Sequence, residues 1–428
     1  MKRIVTILLV LALSFSLFAQ SAVEQSVSTE ESNTLTVWAW DKNFNIPALL
    51  EAERIYQQDH PDFKLNIVEN VYTDIEVKLI TADQAGDYST LPDLFLMQDN
   101  SAQKMLTNYP GIFTSLDNSG INFDDFAAGK VAVGTSNGKH YGLPFDNGAV
   151  IMPIRTDLIA EAGLTVDDFT NITWDQFFVN AKKVKEATGI DMLTTSGGSE
   201  IVLMILQSAG ASPYVDGKIN IENNAVLEKA MEIYARLINE GLMTDYTDWD
   251  QYIASFNTGK AVGLIQGNWI LASIQAAEDQ SGKWAVCPLP SLDGVEGATN
   301  YSNSGGSSWY VSSNCKNTEL AYDFLKTTLG SSLELYDNIL ISNGVITTYL
   351  PAGASEKYQT AVDFYAGQKV FSDIVDYAKG VPACDFGAYY NDIRSAITVA
   401  ITNVVQKGAD IKAEMKTAQE TVEFAIGN

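Results

Sequence analysis

Between Thr34 and Met97 the chain alternates short apolar strands with amphipathic helices, and this alternation limits the possible folds more than any other feature. "LTVWAW" reads as a strand by its β-branched and aromatic content, and "PALLEAERIYQQDH" as an amphipathic helix opened by Pro47. "FKLNIVEN" is a second strand, Ile75 to Asp83 a second helix, and "PDLFLM" a buried third strand. Strand–helix–strand–helix–strand implies a parallel, doubly wound sheet, an α/β fold. Ligands of such sheets bind beyond the carboxyl ends of the strands. Those ends are "WDKNFN" (Trp40 to Asn45) and "QDNS" (Gln98 to Ser101). Both are rich in short polar side chains and lack the glycine pattern that cradles phosphate, so they suit a polar ligand rather than a nucleotide.

The alternation resumes after "GKHYGLPFDNG". Lys139 to Tyr141 read as a strand edge and Pro144 to Gly148 as a crossing between lobes. Helices are predicted at Trp174 to Thr188, at Val226 to Asn239 with a stop at Gly241, and in "TDWDQYIASFNTG". The strand Ala261 to Gln266 comes next. "KWAVCPLP" is a strand broken at Pro288 and Pro290, read as a second crossing. "GGSSWYVSS" is a strand, "TELAYDFLKTTL" a helix, and two further helices begin near Tyr389 and Ile411.

The amino-terminal stretch bears on location. Lys2 and Arg3 precede the apolar run Ile4 to Phe18, followed by small residues at Ala19, Ser21 and Ala22, the pattern of a secretory signal. No cysteine stands near the cleavage site, so a periplasmic protein without a lipid or other stable membrane anchor is expected. The net charge of −26 argues against nucleic acid and anionic lipid as partners. Three cysteines, Cys287, Cys315 and Cys384, form neither a disulfide framework nor a zinc spacing, and whether two of them pair is left open.

Catalytic signatures are weak. The two histidines, His60 and His140, offer no metal spacing, and "SGGSSW" fails the Gly-x-Ser-x-Gly elbow. Asp41, Asp99, Asp146 and Asp385 occupy candidate loops, which keeps a glycoside hydrolase using two cleft carboxylates as the alternative function. The same loops offer a different chemistry. Sugars present an apolar face and a rim of hydroxyls, so their sites need planar aromatics together with carboxylates or amides. Trp40 stands with Asp41 and Asn43, Asn268 with Trp269, Ser307 with Trp309, and Asp385 near Tyr389 and Tyr390. Polyamine receptors would need acids without aromatics, and amino-acid receptors a cleft arginine. The aromatic pattern fits neither.

"LTVWAWD", "PDLFLMQDN", "GKHYGLPFDNG", "FNTGKAVGLIQGNW" and "GGSSWYVS" occur in the order seen in bacterial family 1 extracellular solute-binding proteins, the sugar receptors of ABC importers, and the chain resembles that family over nearly all of its length. The resemblance implies the type II periplasmic-binding-protein fold: two lobes, each a doubly wound sheet flanked by helices, joined by hinge strands. It implies a signal over residues 1–21, a leader over 22–33, a first lobe from 34–144 and 289–345, and a second from 145–288 and 346–428. It implies a non-enzymatic, monomeric receptor without cofactor or metal, whose partners are a mono- or oligosaccharide and a membrane permease. Matched by position, Trp40, Asp41 and Lys42 form the first ligand loop, and Asp99 with neighbouring Asn100 a polar rim. Asp146 or Asn147 lies beside the first crossing, Trp269 stacks on the sugar, and Tyr389 or Tyr390 is a carboxy-terminal aromatic. Asn43, Asn268, Gly306, Ser307, Trp309 and Asp385 complete the expected site.

Overall fold

The computed structural model describes residues 33–427, so the expected signal and almost all of the leader lie outside the described residues. Strand β1 (Thr34–Ala39) lies parallel to β2 (Lys64–Glu69) on one side and β3 (Leu94–Gln98) on the other, with Val37 opposite Ile67 and Leu94. Alternation splits the side chains between two faces. Leu35, Val37, Leu94 and Leu96 enter one core, Trp38, Phe95 and Met97 the other. Helix α1 (Asn45–Tyr56) covers the first face with Ala48, Leu49 and Ala52; α2 (Tyr72–Ala85) and α3 (Asp99–Asn108) cover the second. The first two helices begin earlier than their apolar periodicity suggests. Before α1 the chain bends tightly, and the Asn45 carboxamide oxygen accepts from the N–H groups of Trp40 and Asp41 at 3.2 and 3.1 Å. A short strand β4 (Phe113–Thr114), helix α4 (Ala128–Val133) and strand β5 (Gly142–Pro144) complete this stretch.

Phe145 to Ala149 carry the chain into a second sheet through β6 (Val150–Arg155), all of it buried. Helix α5 (Trp174–Thr188) occupies the span its sequence predicts, fixed by a capping box of Thr173 and Gln176. Then come β7 (Asp191–Thr195), α6 (Gly198–Ser208), α7 (Ala225–Asn239), β8 (Met243–Asp245), α8 (Trp249–Asn257), β9 (Ala261–Leu264), β10 (Gln266–Gly267) and β11 (Trp284–Cys287). The strands lie in the order β8–β7–β9–β6–β10, with β11 also paired to β6. β7, β8 and β9 run parallel, whereas β6 is antiparallel to its neighbours, so the sheet is mixed rather than wholly parallel.

The return crossing comes later than the prolines suggest. Pro288 and Pro290 end β11 without sending the chain away: Leu289 and Leu292 stay in the second core. Ser302 donates to the Met204 carbonyl at 2.7 Å on the same side. The chain leaves at Asn303 to Gly306, and β12 (Ser307–Ser312) then runs antiparallel to β3 inside the first sheet. Helices α9 (Thr318–Thr327) and α10 (Leu333–Asn343) pack there. Val345 lies in the first core and Ile346 in a separate cluster on the opposite face of the second sheet, but Tyr349 and Ala352 return to the first core, and the chain reaches the second lobe between Ala352 and Tyr358. Helices α11 (Tyr390–Lys407) and α12 (Ile411–Ile426) complete the second lobe. The three cysteines are free thiols, with those of Cys287 and Cys384 pushed up to about 12 by burial.

Trp309, expected as a ligand contact, belongs to the core. In β12 it alternates with Ser308 and Tyr310, is 0% exposed, and meets Phe145 edge-on at 5.7 Å. Trp309→Ala is therefore expected to cost about 3–5 kcal/mol of stability in a denaturant titration.

Candidate ligand-binding cleft

A cavity of about 620 Å³ lies between the two lobes. Its walls are built largely from residues just beyond the carboxyl ends of strands. From the first lobe come Trp40 and Asp41 after β1, Asn70 and Tyr72 after β2, and Gln98 and Asn100 at β3. From the second come Ser196 after β7, Trp249 after β8 and Trp269 after β10. Aromatic surface therefore stands on both sides. Trp40 meets Tyr72 edge-on at 6.3 Å, and Trp269 leans on Trp249 at 5.9 Å with 34° between the rings.

The sequence Gly-Asn-Trp explains how Trp269 is set. After β10 the chain tightens into a 3-10 turn over Asn268–Ile270. The indole folds back over Gly267, where a Cβ would collide with the ring nitrogen and lie 2.6 Å from the Ser304 carbonyl. That carbonyl accepts the indole N–H at 3.0 Å. The ring's one polar group is thus satisfied and its orientation fixed, which leaves an apolar face for a partner.

Charged groups line the same region. Asp146 is buried at the first crossing and accepts from the Ser307 N–H at 2.8 Å. Burial raises its pKa, with Lys130 and Ser307 opposing. Burial likewise raises that of Asp41, against the N–H bonds of Asn43 and Phe44. Lys130 forms an ion pair with Asp99, and burial brings its ammonium down to about 8 against the pull of Asp146. Asp99 also accepts from the Ser308 hydroxyl at 2.9 Å. On the second lobe Glu200 pairs with Arg394 at 2.8 Å and accepts from the Gln266 amide at 3.2 Å. Against the cost of burial, Glu200 and Tyr72 raise the Arg394 pKa. Carboxylates matched by few cations, in reach of aromatic faces, can accept hydrogen bonds from hydroxyls around an apolar ring.

The model of the bacterial extracellular solute-binding protein family matches residues 52–366. A lactose-binding protein of Rhizobium radiobacter is 36% identical over 388 residues, covering 90% of this chain and 91% of that protein. The chain belongs to the bacterial extracellular solute-binding proteins. An arabinooligosaccharide-binding protein of Halalkalibacterium halodurans is 24% identical over 381 residues, 86% of this chain and 84% of its own. An ABC transporter associated binding protein of B. animalis subsp. lactis, solved with beta-1,6-galactobiose, shares the fold with a TM-score of 0.77 at 18% identity, over 91% of this chain and 96% of its own.

Of the residues expected to form the site, this solute-binding protein brings Trp40, Asp41, Asn100, Asp146, Trp269, Gly306, Ser307 and Tyr390 to the cavity. Asp99, Asn147 and Asp385 line instead a second chamber of about 540 Å³ that shares Asn100, Glu200 and Tyr390 with the first. Others are turned away. Lys42 is exposed and pairs with Glu69 at 3.4 Å, and Asn43 is exposed, because both lie on the outside of the turn that leads into α1. Asn268 is enclosed, since the 3-10 turn presents its neighbour Trp269 instead. Tyr389 packs edge-on against Tyr214 at 5.7 Å, beside the second core.

Sequence reasoning missed Asn70, Tyr72, Ser196, Trp249, Glu200 and Arg394. The first four stand just past strand ends, so the rule that found Trp40 would have found them. Glu200 and Arg394 sit on helices whose approach only the tertiary fold decides. A cleft arginine is present after all, but Glu200 already satisfies it, so it does not supply a free anion receptor. Replacing Gly267 by Ala is expected to displace the indole, lowering the melting temperature and shifting the tryptophan emission. An unchanged spectrum and melting curve would contradict this account of the platform.

Proposed function

We propose that this protein is an exported, periplasmic receptor that captures a neutral mono- or oligosaccharide between its lobes and delivers it, unaltered, to the permease of an ABC importer. The observation carrying this reading is the pair of aromatic walls, Trp40 with Tyr72 and Trp269 with Trp249, facing one cavity rimmed by carboxylates and amides. Three chain passages, at Phe145 to Ala149, Asn303 to Gly306 and Ala352 to Tyr358, serve as the hinge. The excess of carboxylates over cations disfavours uronates and other anionic sugars. The lactose-binding relative supports a disaccharide or a short oligosaccharide. Among the described residues no helix is long and apolar enough to cross a membrane, and delivery is assigned to a separate permease.

A thermal-shift screen of lactose, galactobiose, arabinooligosaccharides and maltooligosaccharides tests the assignment. A sugar at a hundred times its Kd adds about 2.7 kcal/mol to stability. Trp269→Ala is expected to weaken binding by at least about 1 kcal/mol. Asp41→Ala is expected to weaken it by about 1.5–3 kcal/mol. Both variants should stay folded. Chromatography after prolonged incubation should return the sugar intact. Cleaved products would instead indicate a hydrolase, and no stabilisation by any sugar would reject the receptor reading.

A further inference from the structure

The first turn of α11 makes polar contacts with both lobes. Its body belongs to the second: Ile393, Ala396, Ile397 and Ala400 are buried in that core. Asn391 and Arg394, three residues apart and so on one helical face, reach the first lobe. Arg394, held by Glu200 on its own side, donates to the Tyr72 hydroxyl of α2 at 3.1 Å. The Asn391 amide donates to Glu76 of α2 and to Ser101 of α3, each at 3.3 Å. Asp392 pairs with Lys104 of α3 at 3.6 Å. Ser101 in turn donates to Glu76, whose pKa burial raises.

Asn391, Glu76, Ser101 and Lys104 are not among the residues lining either chamber. Their contacts join lobe to lobe rather than protein to ligand. From this juxtaposition we infer that Asn391, Asp392 and Arg394 form a clasp that favours the closed arrangement of the lobes and slows release of bound sugar. A contact made only in one of two states shifts their equilibrium by its own differential free energy. Opening the cleft separates α11 from α2 and α3 and hydrates all of these groups. The clasp thus adds to closure whether or not ligand is present, and a bound sugar must wait for it to open. Asn391 and Asp392 are positioning residues. Arg394 also lines the cavity, so its own variant would mix two effects, and the test avoids it.

The inference rests on the receptor reading for its effect on release, but not for its effect on closure. The full chain carrying both Asn391→Ala and Lys104→Ala keeps every buried apolar contact of α11. Without sugar, small-angle scattering should give it a larger radius of gyration than the wild type. Stopped-flow tryptophan fluorescence should show sugar leaving at least about three- to ten-fold faster, the range for one ordinary hydrogen bond, since this variant loses two and an ion pair. Asn391→Asp, which sets a second carboxylate beside Glu76, should move both readings the same way. Exchanging the charges with Lys104→Asp and Asp392→Lys together should restore the wild-type release rate more fully than either change alone. Unchanged radius and release in both Asn391 variants would overturn the clasp. Should no sugar bind the wild type, the receptor reading fails while the ligand-free radii still decide the clasp.

Discussion

The cleft depends on two passages of chain that lie backbone against backbone. Gly148 approaches Ser304 and Gly305 so closely that a Cβ on Gly148 would sit 2.8 Å from each of two carbonyl carbons. The Ser304 N–H donates to the Gly148 carbonyl at 2.7 Å. The same passages carry the side chains that matter next to them. Asp146 caps the start of β12 through Ser307, and the Ser304 carbonyl takes the Trp269 indole. One narrow junction therefore sets the spacing of the lobes, seats a buried carboxylate and aims the principal aromatic.

From that junction the remaining walls are set by sheet direction. The parallel strands β1, β2, β3, β7 and β8 end at the cleft, so the loops after their carboxyl ends contribute to one space. The burial that makes those loops a site also makes their charges costly. The protein offsets that cost with partners already in place: backbone N–H groups for Asp41, Ser307 for Asp146, Ser308 and Lys130 for Asp99, and Gln266 and Arg394 for Glu200. Groups so held lose little freedom when a ligand arrives, which favours tight binding over a floppy fit.

Much of this was legible in the sequence, and the failures have physical causes. Strand–helix alternation gave α5, α7 and the loops bearing Trp40, Asp41 and Trp269, because local periodicity and strand-end position determine them. It could not tell Trp309 from Trp269. Both follow a glycine by way of short polar residues, yet one continues an extended strand into the core while the other leaves it through a 3-10 turn. The crossing was misplaced at Pro288 because proline ends a strand without saying which core the next leucines enter. Glu200 and Arg394 carried no local signal at all, since their meeting depends on the packing of α6 against α11.

The position of β12 within the first sheet bears on how the chain comes to be made. Its neighbours β3, β4 and β5 end at Gln98, Thr114 and Pro144, long before Ser307 to Ser312 are synthesised. A nascent chain therefore carries the first lobe with an unfilled slot while the second sheet is made, and pairing across so long a loop is slow. The first sheet is therefore completed only after every strand of the second has been made, so the lobe that comes first in the chain is not the first that can finish folding.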